Sequence, residues 1–237
     1  MEMKIILGED IGLLKSYYTI AENSEYEIVI RGSHFICSLQ RVENEEEAKA
    51  FIQTIKKEHW KATHNCSAYL IGDRDEIQRA HDDGEPSGTA GVPMLEVLKK
   101  NELKYVVAVV TRYFGGTKLG AGGLIRAYSK SVSSTLKEIG IVERAMQIPV
   151  KCTVSYSASG KLENNLIQSP YSVIDTLYTD QVTFIIGIPA DNVETFQSDM
   201  IDFMNGNIQF ETGEAQYVER RLADIAEDDW EDSDDDN

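Results

Sequence analysis

The run Thr111–Lys130, TRYFGGTKLGAGGLIRAYSK, combines glycines, cations and two adjacent aromatic residues. Glycines let the main chain approach a ligand closely, and the N–H groups at a helix start attract anions. Lysine and arginine meet phosphates, and aromatic rings stack on bases. We therefore expect this run, the basic glycine loop, to form a binding site for an anionic ligand. Its candidate binding residues are Arg112, Tyr113, Phe114, Gly115, Gly116, Lys118, Gly120, Gly122, Gly123, Arg126 and Lys130.

The charge around the basic glycine loop favours an anionic ligand, because no acidic residue occurs from Leu103 to Lys137. The loop does not end in the GK[ST] of a Walker A motif, and it lacks the GxGxxG dinucleotide fingerprint. The alternative to an anion site is a glycine-rich turn that allows close packing of the backbone, with solvated charged side chains beside it.

A second polar loop, HDDGEPSGTAG, covers His81–Gly91 and carries the acids Asp82, Asp83 and Glu85. Such side chains commonly accept hydrogen bonds from backbone amides in successive turns, and this interpretation is favoured. They are also ligands for Mg²⁺. An alternative function is therefore a metal-assisted phosphoester hydrolase, in which the acids hold a cation and Arg112 holds the substrate phosphate.

Other chemistry is not indicated by the sequence. His64 and Cys66 share one face of a predicted strand, but a structural zinc site needs about four ligands. No catalytic set of Ser, His and Asp or of Cys and His can be assembled from the spacing. We expect a binding protein rather than an enzyme, with no cofactor and no resident metal.

The net charge of −17 argues against a nucleic-acid ligand until its distribution is considered. The segment Asp224–Asn237 holds nine acids and no base, so about half of the net negative charge remains without it. Runs of like charge repel one another and stay disordered. This predicted acidic tail is either a solubilising segment, a competitor for the basic glycine loop, or a docking element in a protein-interaction adaptor.

The three cysteines, Cys37, Cys66 and Cys152, are scattered and form no CxxC motif, which indicates free thiols in a reducing compartment. The apolar runs are far shorter than the roughly 20 residues that cross a bilayer. We expect a cytoplasmic protein without a membrane partner.

Hydrophobic periodicity predicts the elements that position the basic glycine loop. Lys104–Thr111 is apolar throughout, as in a central strand that is buried on both faces. The helix after the loop should run to about Ile139 and bury Leu124, Tyr128, Val132 and Leu136. Further predictions are two strands that meet at Gly32 within 26–39, a helix over Asn44–Lys57, a strand over Asn65–Ile71, a long loop over Asp73–Pro93 and a short helix to Lys100.

After Gly140 the pattern begins again with the order β-α-β-β-α-β, which is typical of a ferredoxin-like domain. Its predicted elements are Ile148–Tyr156, Lys161–Gln168, Ser172–Tyr178, Gln181–Ile188, Val193–Met204 and Asn207–Val218. The fold class is therefore α+β. We predict an N-terminal domain over 1–142 with its core in 17–142, a C-terminal domain over 147–223, and the acidic tail over 224–237.

The combination DDGEPSGTAGVPML and VVAVVTRYFGGTKLGAGGLIRAYS resembles the signature of the IMPACT/YigZ family, and the resemblance covers roughly Tyr17–Val142. Upstream, RGSHFIC departs from the family pattern at Arg31 and His34, so no role is carried over to those two positions. The matching positions are Gly91, Met94, Leu95, Leu98, Leu103, Val109, Val110, Arg112, Tyr113, Phe114, Gly115, Gly116, Leu119 and Gly120.

The resemblance implies a fold more than a reaction. It implies an N-terminal domain like domain IV of elongation factor G and a C-terminal domain like domain V. Eukaryotic members of the family regulate translation through a different N-terminal module, whose partner binding is not carried over to this sequence. The expectation is a non-enzymatic RNA- or ribosome-binding protein that influences translation.

Overall fold

The structure, a computed structural model, describes residues 15–222, so the predicted acidic tail lies outside the described residues. The chain divides into two compact units. The N-terminal unit contains residues 18–143 and 221–222, and the C-terminal unit contains residues 15–17 and 144–220. Within residues 15–222, none of the helices combines the length and apolar character needed to cross a membrane.

The N-terminal unit is built on a five-stranded sheet in the order β2-β3-β6-β4-β5, and each neighbouring pair is antiparallel. Three helices accompany these strands. The elements up to α3 are β1 (Ser16–Ile20), β2 (Ser24–Ile30), β3 (Ser33–Arg41), α1 (Glu45–Glu58), β4 (His64–Ile71), β5 (Ile77–His81), α2 (Gly91–Lys100), β6 (Val106–Tyr113) and α3 (Gly120–Ile139).

The central strand β6 is buried on both faces, as its unbroken apolar sequence predicts. Val110 belongs to the larger core beneath α2 and α3, whereas Val109 belongs to a second core beneath α1. The helix α1 begins where the Asn44 side chain accepts a hydrogen bond from the backbone N–H of Glu47. The sheet therefore lies between α1 on one side and α2 with α3 on the other.

The long helix α3 buries the stripe that its spacing predicts. Leu124, Tyr128, Val132 and Leu136 are all at most 6% exposed. This stripe fixes the rotation of the helix, because turning it would expose those side chains to water. Consequently the intervening cations face solvent.

Two strands of the N-terminal half differ from the prediction. The segment Asp73–Pro93 is not a loop throughout, because β5 pairs with β4 along Ile77–His81. The strand is short and mostly polar, so its sequence carries little hydrophobic periodicity. A polar edge strand of this kind is recognised only once its partner is in place. The strand β1 was not predicted either.

The C-terminal unit follows the predicted order β-α-β-β-α up to α5, and two strands, β10 and β11, come after it. Its antiparallel strands lie in the order β10-β7-β9-β8, and its own core includes Val150, Leu162, Phe184 and Phe196. The elements are β7 (Ile141–Val154), α4 (Tyr156–Ile167), β8 (Ser172–Tyr178), β9 (Val182–Ile188), a 3₁₀ turn (Ala190–Asn192), α5 (Val193–Phe203), β10 (Gln209–Thr212) and β11 (Gln216–Arg221).

The single last strand predicted over Asn207–Val218 is wrong, because the chain forms β10 and β11 with an irregular segment between them. Gly213 begins that segment and donates its N–H to the carbonyl of Pro149 over 2.9 Å. An added Cβ at Gly213 would lie 3.0 Å from the Pro149 ring. Gly213 thus allows the close approach to Pro149 at the end of β10, and local sequence does not reveal it.

Candidate nucleic-acid interface

The basic glycine loop joins the end of the buried strand β6 to the start of α3. No side chain caps the first turn of α3, and that turn contains no acid. The first backbone N–H groups of a helix have no partner within the helix, and the helix dipole places positive charge at this end. The segment thus presents an electropositive helix start, as the sequence predicts for an anion site.

Three of the four predicted cations are exposed: Lys118, Arg126 and Lys130. Lys118 precedes the helix, and the other two lie one turn apart on its outer face. The Arg126 side chain reaches back toward the helix start, since its Nη1 atom lies 3.7 Å from the position of a Cβ added to Gly122. Lys118 and Arg126 therefore lie beside the first turns of α3, and Lys130 extends the basic face by one turn.

The fourth cation, Arg112, lies elsewhere. It is 5% exposed, and its Nη1 donates a 2.6 Å hydrogen bond to Oε1 of the buried Glu85. Its guanidinium carbon lies 5.3 Å from the ring centroid of Phe35 and 5.6 Å from that of Phe114. The side chain thus has protein partners on several sides, and its placement supports Phe114 rather than a solvent-facing phosphate contact.

The glycines of the basic glycine loop have different roles. A Cβ on Gly115 would lie 1.9 Å from the backbone of Gly32, so this position permits close packing. Gly116 and Gly120 have φ of +90° and +72°, with no atom within 4 Å of an added Cβ. Gly122 has only the end of Arg126 near it. The packing interpretation therefore holds at Gly115 and at Gly123, where an added Cβ would lie 3.0 Å from the Leu119 Cβ. Gly116, Gly120 and Gly122 leave open space at the surface.

Sequence reasoning missed Trp60 and Lys61, which follow α1 in the turn before β4. Trp60 is 73% exposed, and the Lys61 Nζ lies 5.1 Å from its ring centroid. A tryptophan between polar and basic residues just after a helix is the signal that could have found them. Its proximity to the basic glycine loop depends on the sheet, because β4 and β6 are neighbours.

Two hydrogen bonds join this turn to the end of β6. The Nδ1 atom of His59 lies 2.9 Å from the Tyr113 hydroxyl, and the Phe114 N–H donates to Thr63 Oγ1 over 3.2 Å. On the other side, the exposed Arg31 lies in the turn whose Gly32 packs on Gly115. The structure thus brings Arg31 beside the basic glycine loop.

The acidic loop is a network of turns, which is the interpretation that the sequence favours. Asp82 accepts hydrogen bonds from the N–H groups of Gly88, Ala90 and Gly91 at 2.8, 3.1 and 2.9 Å. Desolvation raises the pKa of Asp82, but the three backbone N–H donors together outweigh it and hold the pKa below its ordinary value. The charged carboxylate therefore anchors the start of α2.

The other two acids have separate partners. Asp83 accepts from Lys56 Nζ at 2.6 Å and from the Asn65 N–H at 2.7 Å. Glu85 Oε1, besides Arg112, accepts from the Tyr128 hydroxyl at 2.9 Å. Within residues 15–222, no three His, Cys, Asp or Glu side chains are grouped so as to hold a metal ion. The three acids therefore offer no geometric support for the hydrolase alternative.

His64 and Cys66 pack against this same acidic network. The Cys66 Sγ lies 2.9 Å from the Asp82 carbonyl oxygen and 3.3 Å from the Tyr128 hydroxyl, and its one S–H proton donates to the nearer carbonyl. Burial raises the pKa of Cys66 to about 12, so the thiol stays protonated and is a poor nucleophile. His64 Nδ1 lies 2.9 Å from the Asp83 carbonyl.

Comparison with known proteins establishes the family. The model of the Impact N-terminal domain matches residues 31–136. The IMPACT family member YvyE of Bacillus subtilis is 53% identical over 215 residues, which cover 91% of this chain and 99% of that protein. The chain belongs to the IMPACT family. The resemblance predicted from the sequence is thereby confirmed.

Other IMPACT relatives extend the similarity into the C-terminal half. A domain model of unknown function, DUF1949, matches residues 152–207. The IMPACT family member YigZ of Escherichia coli is 35% identical over 182 residues, which cover 76% of this chain and 89% of that protein. A crystal structure of a hypothetical protein matches with a TM-score of 0.54 and 32% identity, over 84% of this chain and 97% of the other. A mixed α+β fold with two units is therefore shared with relatives.

Proposed function

We propose that this IMPACT-family chain is a non-enzymatic RNA-binding protein that acts on translation, with RNA in free or ribosomal form as its ligand. The observation that carries the proposal is the exposed helix start of α3, with Lys118 and Arg126 beside it and Lys130 one turn further along the same face. Backbone N–H groups, helix dipole and cations all favour phosphate at this surface.

The local charge supports a polyanion despite the net charge of −17. Acids are absent from Leu103 to Lys137, and the acids of the neighbouring loop are engaged by Arg112, Lys56 and backbone N–H groups. Charges beyond about 8 Å are largely screened at physiological salt, so the surface at a binding site matters more than the total.

The test is RNA affinity at several salt concentrations for the full chain with Lys118, Arg126 and Lys130 replaced by alanine. Removing a cation that meets a phosphate should flatten the slope of log affinity against log salt by about 0.7 on single-stranded RNA. A matched control replaces Lys49, Lys99 and Lys161, which are exposed cations elsewhere and change the net charge equally. Equal slopes and affinities for the two triple variants would exclude the proposed surface.

Arg112 provides a further control, because its side chain is buried beside Glu85. Arg112→Met, which removes the charge, should lower the stability of the fold and leave the salt slope of the remaining binding unchanged. A flattened slope in this variant would instead favour the phosphate contact predicted from the sequence.

We also propose domain boundaries and a fold type for each domain. We infer that residues 1–142 and 147–223 are separate domains, that the first is like domain IV of elongation factor G, and that the second is ferredoxin-like. The strand order β10-β7-β9-β8 supports the last inference. The cytoplasm is the proposed compartment, and the buried unpaired thiols of Cys37, Cys66 and Cys152 are consistent with reducing conditions.

A further inference from the structure

Two large aromatic rings are exposed at the surface of the N-terminal unit. Trp60 is 73% exposed, the largest fraction for any large apolar side chain among the described residues of this unit, and Phe114 is 47% exposed. Large aromatic side chains are normally mostly buried, since apolar area in water is unfavourable. An exposed pair beside cations therefore suggests a ligand with flat apolar faces.

Contacts with Arg112 and Thr63 hold Phe114 in place. The guanidinium carbon of Arg112 lies over the Phe114 ring, 5.6 Å from its centroid, and also over the Phe35 ring at 5.3 Å. The Phe114 backbone N–H is held by Thr63. The ring thus contacts the buried Arg112, while 47% of the Phe114 side chain is exposed to solvent.

The turn that carries Trp60 is tied to the same place. The Ala62 N–H donates to the His59 carbonyl and the Thr63 N–H donates to the Arg112 carbonyl, both over 2.9 Å. Trp60 is therefore three residues from the side chain that holds Phe114. Because this backbone is ordered before binding, stacking a ligand here costs less conformational entropy.

The combined chemistry identifies the kind of nucleic acid. Lys61 beside Trp60, with Lys118, Arg126 and Lys130 of the basic glycine loop, suits a phosphate backbone. In a duplex the faces of the bases are covered by their neighbours, whereas unpaired bases can stack on aromatic side chains. We propose that Trp60 and Phe114 stack unpaired bases, so that this surface selects single-stranded over double-stranded RNA. The inference rests on the proposed RNA-binding function.

The experiment measures the affinity of the full chain for an unstructured polyuridine oligonucleotide and for an RNA duplex of equal length. Trp60→Ala and Phe114→Ala should each weaken polyuridine binding by roughly 5- to 150-fold, the range that corresponds to the loss of one stacked base. Neither variant should change the salt slope, because neither removes a cation. Tyr178→Ala is the matched control, as Tyr178 is an aromatic residue of the C-terminal unit with 66% exposure.

A direct signal comes from fluorescence in the full chain carrying Trp230→Phe, where Trp60 is the only tryptophan. Polyuridine should quench Trp60 and the duplex should not. Phe114→Leu is a second variant that keeps apolar contact with Arg112 while removing the aromatic face, and it should weaken polyuridine binding like Phe114→Ala.

The outcomes separate the two proposals. Equal affinity for polyuridine and duplex, with Trp60→Ala indistinguishable from Tyr178→Ala, would overturn the stacking inference and leave the phosphate surface intact. Absence of binding to both RNAs would overturn the proposed function itself. An acidic peptide that quenches Trp60 when neither RNA does would point to a protein ligand and overturn both.

Discussion

Arg112 and Glu85 form a buried ion pair, with Nη1 and Oε1 2.6 Å apart and only 6% and 4% of the two side chains exposed. The pair joins the central strand β6 to the acidic loop, and Tyr128 of α3 donates to the same carboxylate oxygen. Arg112, which the sequence suggests as a phosphate ligand, is therefore a buried residue that stabilises the fold beneath the binding surface.

Glu85→Gln should destabilise the fold by about 3–5 kcal/mol, because it leaves the Arg112 charge buried without a counter-charge. Urea unfolding gives the free energy. The control is Glu96→Gln, which removes an exposed pair with Lys99 and should cost about 0.2–1 kcal/mol. Similar losses of stability in the two variants would mean that the buried pair contributes no more to the free energy of unfolding than the exposed pair does.

Asp82→Asn should lower stability at neutral pH, and the deficit should shrink in acid. The folded-state pKa of Asp82 lies below its ordinary value of 3.8, so its charge stabilises the fold above that value, and this contribution is lost as pH falls through the folded pKa. Unfolding free energies at pH 7 and near pH 3 measure the difference. The exposed Asp199→Asn serves as control, and a deficit for Asp82→Asn that stays constant with pH would contradict the assignment.

Gly115→Ala and Gly122→Ala should have opposite effects on stability. The first places a Cβ 1.9 Å from the Gly32 backbone and should be strongly destabilising. The second lies in a helix with space around it and should stabilise by about 0.5–1 kcal/mol. If Gly122 allows RNA to approach the helix start, the stabilised variant should bind RNA more weakly. Unchanged affinity would assign Gly122 no role in binding.

The segment Gln147–Ala223 should fold when expressed alone. The C-terminal unit has its own core, which includes Val150, Leu162, Phe184 and Phe196. A well dispersed amide spectrum is expected. A collapsed spectrum would show that the boundary near 147 is wrong and that the segment depends on residues outside it.

Deletion of Asp224–Asn237 should tighten RNA binding at low salt and have little effect at high salt. The prediction rests on the sequence, in which nine acids compete with phosphate for the basic glycine loop. A tethered segment acts at an effective concentration of about millimolar, and its attraction is screened by salt. Titration of the deleted and full chains measures the effect. If the deleted and full chains bind RNA with equal affinity at low salt, the segment does not compete with RNA and we would assign it a solubilising role.

Much of the fold follows from local pattern. Burial imposes a regular period on the sequence, and this period predicts most of the elements. Examples are the apolar run of β6, the four-residue spacing of Leu124 and Tyr128 in α3, and the alternation of strands and helices after Gly140. The sequence did not predict the strand β5 or the break between β10 and β11. Both depend on pairing with distant backbone and leave no periodicity.

The sequence by itself determined the family, the electropositive run and the exposed side chains Lys118, Arg126 and Lys130, since composition and helical spacing are local properties. Only the tertiary structure decided that Arg112 turns inward to Glu85 and that Trp60 joins the surface. The first outcome joins β6 to the loop after β5, across 27 positions of the chain. The second depends on the neighbouring strands β4 and β6, whose ends bring together Thr63 and Phe114 across 51 positions. Burial then removes a cation from solvent because an acid is available within the fold to pair with it.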